Sequence, residues 1–383
     1  MKVKLWYIAC PLLFLCGMVS AQEALELHRQ AVVIDLHNDV LSESVMRGKN
    51  IAKSIRGGRT DLPRLKSGGV DVQFFSVWCD GKKKHPFAYA NQEIDALYQL
   101  IKENSDKMLL ATTVEEIKRG IAEHKLVAMI GVEGGHMLAD NLANIDSLYR
   151  RGVRYVTLTW NNSTHWASSA ADESRHKIKQ KGLSDFGRQV IQRMNQLGMI
   201  VDLSHVGEQT FYDVLKICKK PVLVSHSDAY GLNPHYRNLK DQQIKAVAQN
   251  GGVIGVNFYS DFLDPNYRKK IASLYAQYVS KADTIPLSVD KKFDKLPAQA
   301  KQALRPPLAL VIDHIDYLVK MAGIDHVGIG ADFDGMESTP IGLDDVQDYP
   351  KLTEALLNRG YAPKDIRKIL GENVLRVIQA QEN

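Results

Sequence analysis

The sequence predicts an α/β fold, a closed (β/α)8 barrel of the TIM type, and three observations carry that expectation. Eight short apolar runs rich in Val and Ile recur along the chain. Amphipathic segments of helical length separate them. Polar residues suited to chemistry fall just past the C-terminal ends of these runs. Apolar runs indicate strands buried on both faces, which parallel pairing beneath helices produces. In a closed barrel the C-terminal strand ends converge on one mouth, whereas an open doubly wound sheet spreads them in a row.

The predicted strands run Val32–Leu36, Val70–Val77, Leu126–Val132 and Val153–Thr159, then Met199–Leu203, Pro221–Ser225, Gly252–Asn257 and Val327–Gly330. Helical pattern covers Asn91–Glu103, Val114–His124, Leu142–Arg151, Leu183–Leu197 and Gln209–Lys219. Gly152 and Gly198 stand where helices end in a left-handed residue. After the seventh strand, Asp264–Pro307 is far longer than an ordinary barrel loop. This lysine-rich insertion reads as a solvated surface excursion, or as a lid or subunit contact near the mouth.

The ends of the chain bound its location. Lys2 and Lys4 precede an apolar run, Leu5–Val19, and small residues at Val19 and Ala21 suit a cut before Gln22. Residues 1–21 therefore read as a secretory signal peptide, with 22–383 as one barrel domain in the periplasm or outside the cell. A lipid anchor at Cys16 is disfavoured by the large Leu15 before it. Losing Lys2 and Lys4 lowers the formal charge from +5 to +3, and no basic block marks a nucleic-acid partner. Of the cysteines left in the mature chain, Cys79 and Cys218 are either one disulfide or two buried thiols.

The chemistry-bearing residues come from separate strands. Strand one reads VVIDLHND, and residues two apart share a face, so Asp35, His37 and Asp39 are expected to point one way. Glu133 ends the strand in IGVEGGH, His205 ends VDLSH and His226 ends VLVSH. Imidazole and carboxylate both suit zinc. Asp39, Glu133 and Asp332 would crowd three carboxylates into one cavity, a repulsion that cations relieve. Two zinc ions would do so and would supply hydroxide at neutral pH.

These same segments resemble the renal (membrane) dipeptidases of the amidohydrolase barrel superfamily. DLHND, GVEGGH, VDLSHV, VSHSDAY with Arg237–Asn238, VNFY, GADFDG and the closing GENVLRV occur in family order. The resemblance implies one zinc on His37 and Asp39, a second on His205 and His226, and Glu133 bridging them. It implies that Arg237 receives the dipeptide carboxylate, that Asp332 is the acid/base, and that Tyr230 and Asn257 contact substrate. It also implies a homodimer and tolerance of a D-residue at the C-terminal position. The chain departs from the family at Trp160, where a histidine that contacts the oxyanion is expected. His165, five residues on, is the candidate replacement. Other carboxylated amides (N-acyl amino acids, β-lactams) and a binding protein with a vestigial site remain alternatives.

Overall fold

The structure, a computed structural model, describes residues 20–178, 181–279 and 287–382. The signal-peptide segment, apart from its last two residues, lies outside them. Nine parallel strands form the sheet: β1 Ile34–Asn38, β2 Val72–Trp78, β3 Met108–Leu110, β4 Leu126–Glu133, β5 Val153–Thr157, β6 Ile200–Asp202, β7 Leu223–Ser227, β8 Val253–Val256 and β9 Val327–Ile329. The order β2-β1-β9-β8-β7-β6-β5-β4 closes through β2 against β4, so eight strands make the barrel. All eight coincide with predicted strands. The extra strand, β3, pairs only with the first residues of β4. Three residues of β structure offer no alternation long enough to detect.

One face of the strands fills the lumen. Ile34, Leu36, Val72, Phe74, Val127, Met129, Tyr155, Ile200, Leu223 and Val253 form one buried cluster with Val374, Val377 and Ile378. The last three belong to the C-terminal helix Asn373–Glu382, which plugs the bottom of the barrel. The opposite face, including Val33, Phe75, Ile130, Val156 and Ile254, packs under the surrounding helices. Helices end as glycine dictates: Gly198 caps Asp185–Leu197 with φ 72°.

Asp35 does not share a face with His37, contrary to the alternation expected from sequence. It is fully buried, accepting from the Gln73 amide at 3.0 Å and from the Ala331 N–H at 3.0 Å. The register of β1 against β2 shifts between Asp35 and Asn38, and this irregularity turns His37 inward.

The insertion is more than a solvated excursion. It holds helices Tyr267–Tyr278, Val289–Asp294 and Ala298–Ala303. Tyr267, Ile271, Tyr275, Leu296, Ala300 and Leu304 give it a small core of its own. Cys79 and Cys218 are both buried free thiols.

Candidate metal centre and substrate cavity

His37, Asp39, Glu133, His205 and His226 meet at the C-terminal mouth, all buried. Glu133 stands between two histidine groups. Its Oε2 lies 3.4 Å from His37 Nε2, and its Oε1 lies 2.8 Å from His205 Nε2 and 3.6 Å from His226 Nε2. Asp39 Oδ2 is 3.7 Å from His37 Nε2. Two ligand-atom groups fall within 4.8 Å of one another: His37, Glu133 and His226, and His37, Asp39 and Asp332.

The donor chemistry fits cations. Tyr155 donates its hydroxyl to Leu36 O at 3.0 Å, so it accepts from His37 Nδ1, 2.9 Å away. Ser225 donates to Asp202 at 2.7 Å, so it accepts from His226 Nδ1 at 2.8 Å. Each relay holds a proton on Nδ1 and turns the Nε2 lone pair to the site, the usual arrangement behind a metal-binding histidine. His205 Nε2 and His226 Nε2 face each other at 3.0 Å, and a cation between them satisfies both. His37 Nε2 and Asp39 Oδ1 have no hydrogen-bond partner although buried.

The charges agree. Burial lowers the pKa of His205 to about 4 and that of His226 well below the usual range, with Arg237 and neighbouring histidines adding to it. Both are thus neutral, as metal ligands must be. Burial would raise Glu133, but His37 and His205 outweigh it and hold the carboxyl well below its usual value. Burial alone would lower His37, yet Tyr155, Glu133 and Asp39 hold it well above the imidazole range. The protein's own groups therefore demand positive charge where a metal would sit.

Backbone irregularity places these ligands. β7 shifts register against β8 between Val224 and Ser227, around His226. His205 and Asp332 both adopt φ 65°, a left-handed conformation that non-glycine residues rarely take. Such strain gathers at functional sites because surrounding packing holds it there. Gly335 is needed for another reason: a Cβ there would stand 2.1 Å from Asp39 Oδ2 and 2.4 Å from Asp332 Oδ1.

A cavity of about 960 Å³ opens over the centre, lined by Asp39, Glu133, Trp160, His205, Arg237 and Asp332 among others. Asp332 Oδ2 accepts from Asn257 Nδ2 at 2.9 Å. Burial pushes the Asp332 carboxyl up to about 8, with Asp39 and Glu133 adding to it against His37. Arg237 is 4% exposed, donates to His226 O at 3.2 Å and leaves Nε without a partner. Tyr230 lies on the rim, shared with an adjoining recess. Asn257 lies beneath the cavity, holding Asp332 with one end and accepting from the Tyr259 N–H with the other.

His165 is not brought to the site. Its side chain is 55% exposed, paired with Asp140 at 3.1 Å and packed beside Phe186. The next residue, Trp166, is fully buried, and this anchor turns His165 outward. Trp160 does line the cavity, edge-on to Trp78 at 5.1 Å. Sequence reasoning missed Tyr155, Ser225 and Asp202, the groups behind the histidines. A tyrosine at the lumen-facing position of VRYVT was the available signal.

A parallel barrel with buried histidines and carboxylates at its C-terminal mouth defines a metal-dependent hydrolase class. Within it, the chain belongs to the membrane dipeptidase family, peptidase family M19, whose profile matches residues 21–383. It is therefore a metallopeptidase of dipeptidase type. Similar solved structures include one described as a probable dipeptidase, PvdM, from Pseudomonas aeruginosa. That chain is 25% identical with a TM-score of 0.79, over 94% of this chain and 98% of that one. An amidohydrolase from the same organism is 25% identical with a TM-score of 0.72, over 94% and 98%. A Rhodobacter sphaeroides metallopeptidase, solved with a phosphinate mimic of L-Ala-D-Ala, shares the fold at 23% identity and a TM-score of 0.75, over 92% and 99%. No helix among the described residues is long and apolar enough to cross a membrane.

Proposed function

We propose that the protein is an exported, zinc-dependent dipeptidase, using two zinc ions per chain, acting on dipeptides that include those with a C-terminal D-residue. The observation that carries this reading is the position of Glu133, one oxygen toward His37 and the other toward His205 and His226. That supports a bridging carboxylate, with His37 and Asp39 on one ion and His205 and His226 on the other. Zinc bound there would supply a Lewis acid for the carbonyl and hydroxide near neutral pH.

The chain's own residues supply the rest. Arg237 offers a desolvated guanidinium, its Nε without a partner, to the substrate carboxylate, which restricts substrates to those ending one residue past the cleaved bond. Asn257 occupies Asp332 Oδ2, leaving Oδ1 to carry the proton delivered to the departing nitrogen. Trp160 walls the cavity where the family histidine is expected, and His165, paired with Asp140, offers no replacement donor, so bound zinc would have to supply the Lewis acid for the carbonyl oxygen. A secretory signal at 1–21 and a homodimer complete the proposal.

The test joins metal content to turnover on one purified sample. About two zinc ions per chain, with chelator-sensitive cleavage of L,L and L,D dipeptides, is the expected result. Zinc without cleavage of any dipeptide would redirect the site to N-acyl amino acids or β-lactams. Absence of bound metal together with chelator-resistant cleavage would overturn it.

A further inference from the structure

Arg237, the candidate anchor for a substrate carboxylate, sits in the loop after β7, and a segment from the next strand holds that loop. The Arg237 N–H donates to His235 Nδ1 at 3.1 Å, so the ring is neutral and carries its proton on Nε2. That nitrogen lies 3.5 Å from Oδ2 of Asp261, in the short helix Ser260–Leu263 that follows β8. Asn233 staples the same two segments together, donating to Asp261 O at 2.8 Å and Phe262 O at 2.9 Å. Asn238 adds a bond to Phe262 O at 2.8 Å. The Phe262 ring lies 5.2 Å from the Arg237 guanidinium and 4.7 Å from the His235 ring. Asp261 and Phe262 therefore touch both supports of Arg237, one through the backbone and one beneath the guanidinium.

The insertion decides what Asp261 can do. Arg268, on the insertion helix Tyr267–Tyr278, grips Asp261 at two points, Nε to Oδ1 at 2.9 Å and Nη2 to Oδ2 at 2.8 Å. Asp261 and His235 are buried, whereas Arg268 is half exposed. An exposed ion pair ordinarily counts for little, but a two-point grip on a buried carboxylate is different. Without the guanidinium, Asp261 keeps a desolvated charge that must find another donor. His235 Nε2, at 3.5 Å, is within reach of it. A ring drawn to Asp261 loosens its hold on the Arg237 N–H, and the guanidinium follows its backbone.

We propose that Arg268 and Asp261 are positioning residues for Arg237. Through them the insertion sets how tightly the site holds a substrate carboxylate, acting by way of His235 and Phe262 and not by contact with the substrate. The inference rests on the dipeptidase reading, in which Arg237 receives that carboxylate. It gives the insertion a part in substrate binding and none in the chemistry at the metal centre.

Steady-state kinetics on one dipeptide, Ala-Ala, test this with the wild type, Arg268→Ala, Asp261→Asn and the double variant, each assayed for zinc. Each single substitution is expected to raise KM by roughly tenfold, with kcat held within about twofold and zinc content unchanged. The double variant should be no worse than either single one, because both break the same link. Unchanged KM in the single variants would overturn the proposal. So would a rise with Arg268→Ala alone, or additive rises in the double variant, since Arg268 would then be a substrate contact in its own right. A joint fall in kcat and zinc content would reduce the pair to support of the fold. If the wild type cleaves no dipeptide, the dipeptidase reading fails instead. The dissociation constants of Ala-Ala, measured by calorimetry on the same zinc-loaded proteins, then decide the inference by the same comparison. A wild type that binds no Ala-Ala overturns both.

Discussion

The proton on His37 is placed by a tyrosine. Because the Tyr155 hydroxyl is committed to Leu36 O, it takes the hydrogen from His37 Nδ1 and leaves Nε2 facing Glu133. Tyr155→Phe should keep the fold and lower zinc affinity by about 10- to 100-fold in a chelator competition. Unchanged affinity would show that packing alone orients the ring. Asp332 is the other residue whose role separates from the metals. Asp332→Asn preserves the Asn257 contact in shape and removes the titrating proton. It is expected to retain metal and fold while losing about 10²- to 10⁴-fold in turnover. Near-normal activity would remove Asp332 from proton transfer.

At the scale of an element, the residue that leads into β2 carries a titration far from the mouth. Asp71 accepts from the Val33 N–H at 2.8 Å, yet burial outweighs that bond and raises its carboxyl from 3.8 to about 6. The folded protein thus holds this proton more tightly than the unfolded chain. The contribution to stability is fully present below pH 3.8 and is lost as pH rises to about 6. Asp71→Asn keeps an acceptor for Val33 and abolishes the titration. At neutral pH the variant should be more stable by roughly 2–3 kcal/mol in urea unfolding, the difference vanishing on acidification. A gain that persists at low pH would assign the effect to packing. The insertion is an element of the opposite kind, tied to the rim by Arg268 and Asp261 and to itself by the Tyr267–Ile271–Tyr275 stripe. Its lysines suggested a solvated surface, whereas that stripe is what gives it shape.

For the whole molecule, ligands from four strand ends make metal binding part of folding. Asp39, Glu133 and Asp332 share one cavity, and a cation bound only by the folded barrel stabilises it by about 2.7 kcal/mol at a hundredfold excess over Kd. Chelation should therefore lower Tm by a few degrees in scanning calorimetry, with recovery on adding zinc. An unchanged Tm would mean that the mouth is held by its hydrogen bonds alone. The sequence by itself determined the barrel, because eight buried strands and the helices between them are written in local periodicity. It also singled out His37, Asp39, Glu133, His205 and His226, which close or follow those strands and meet at the mouth. It could not determine where their side chains point. Strict alternation holds for Glu133, in step with Val127 and Met129, but fails at His37 and His226, where register shifts, and at His205, whose backbone is left-handed. Nor could it show that His165 pairs with Asp140 beside a buried Trp166, away from the site. Register and facing are set by packing between elements distant in sequence, and only the closed barrel brings those elements together.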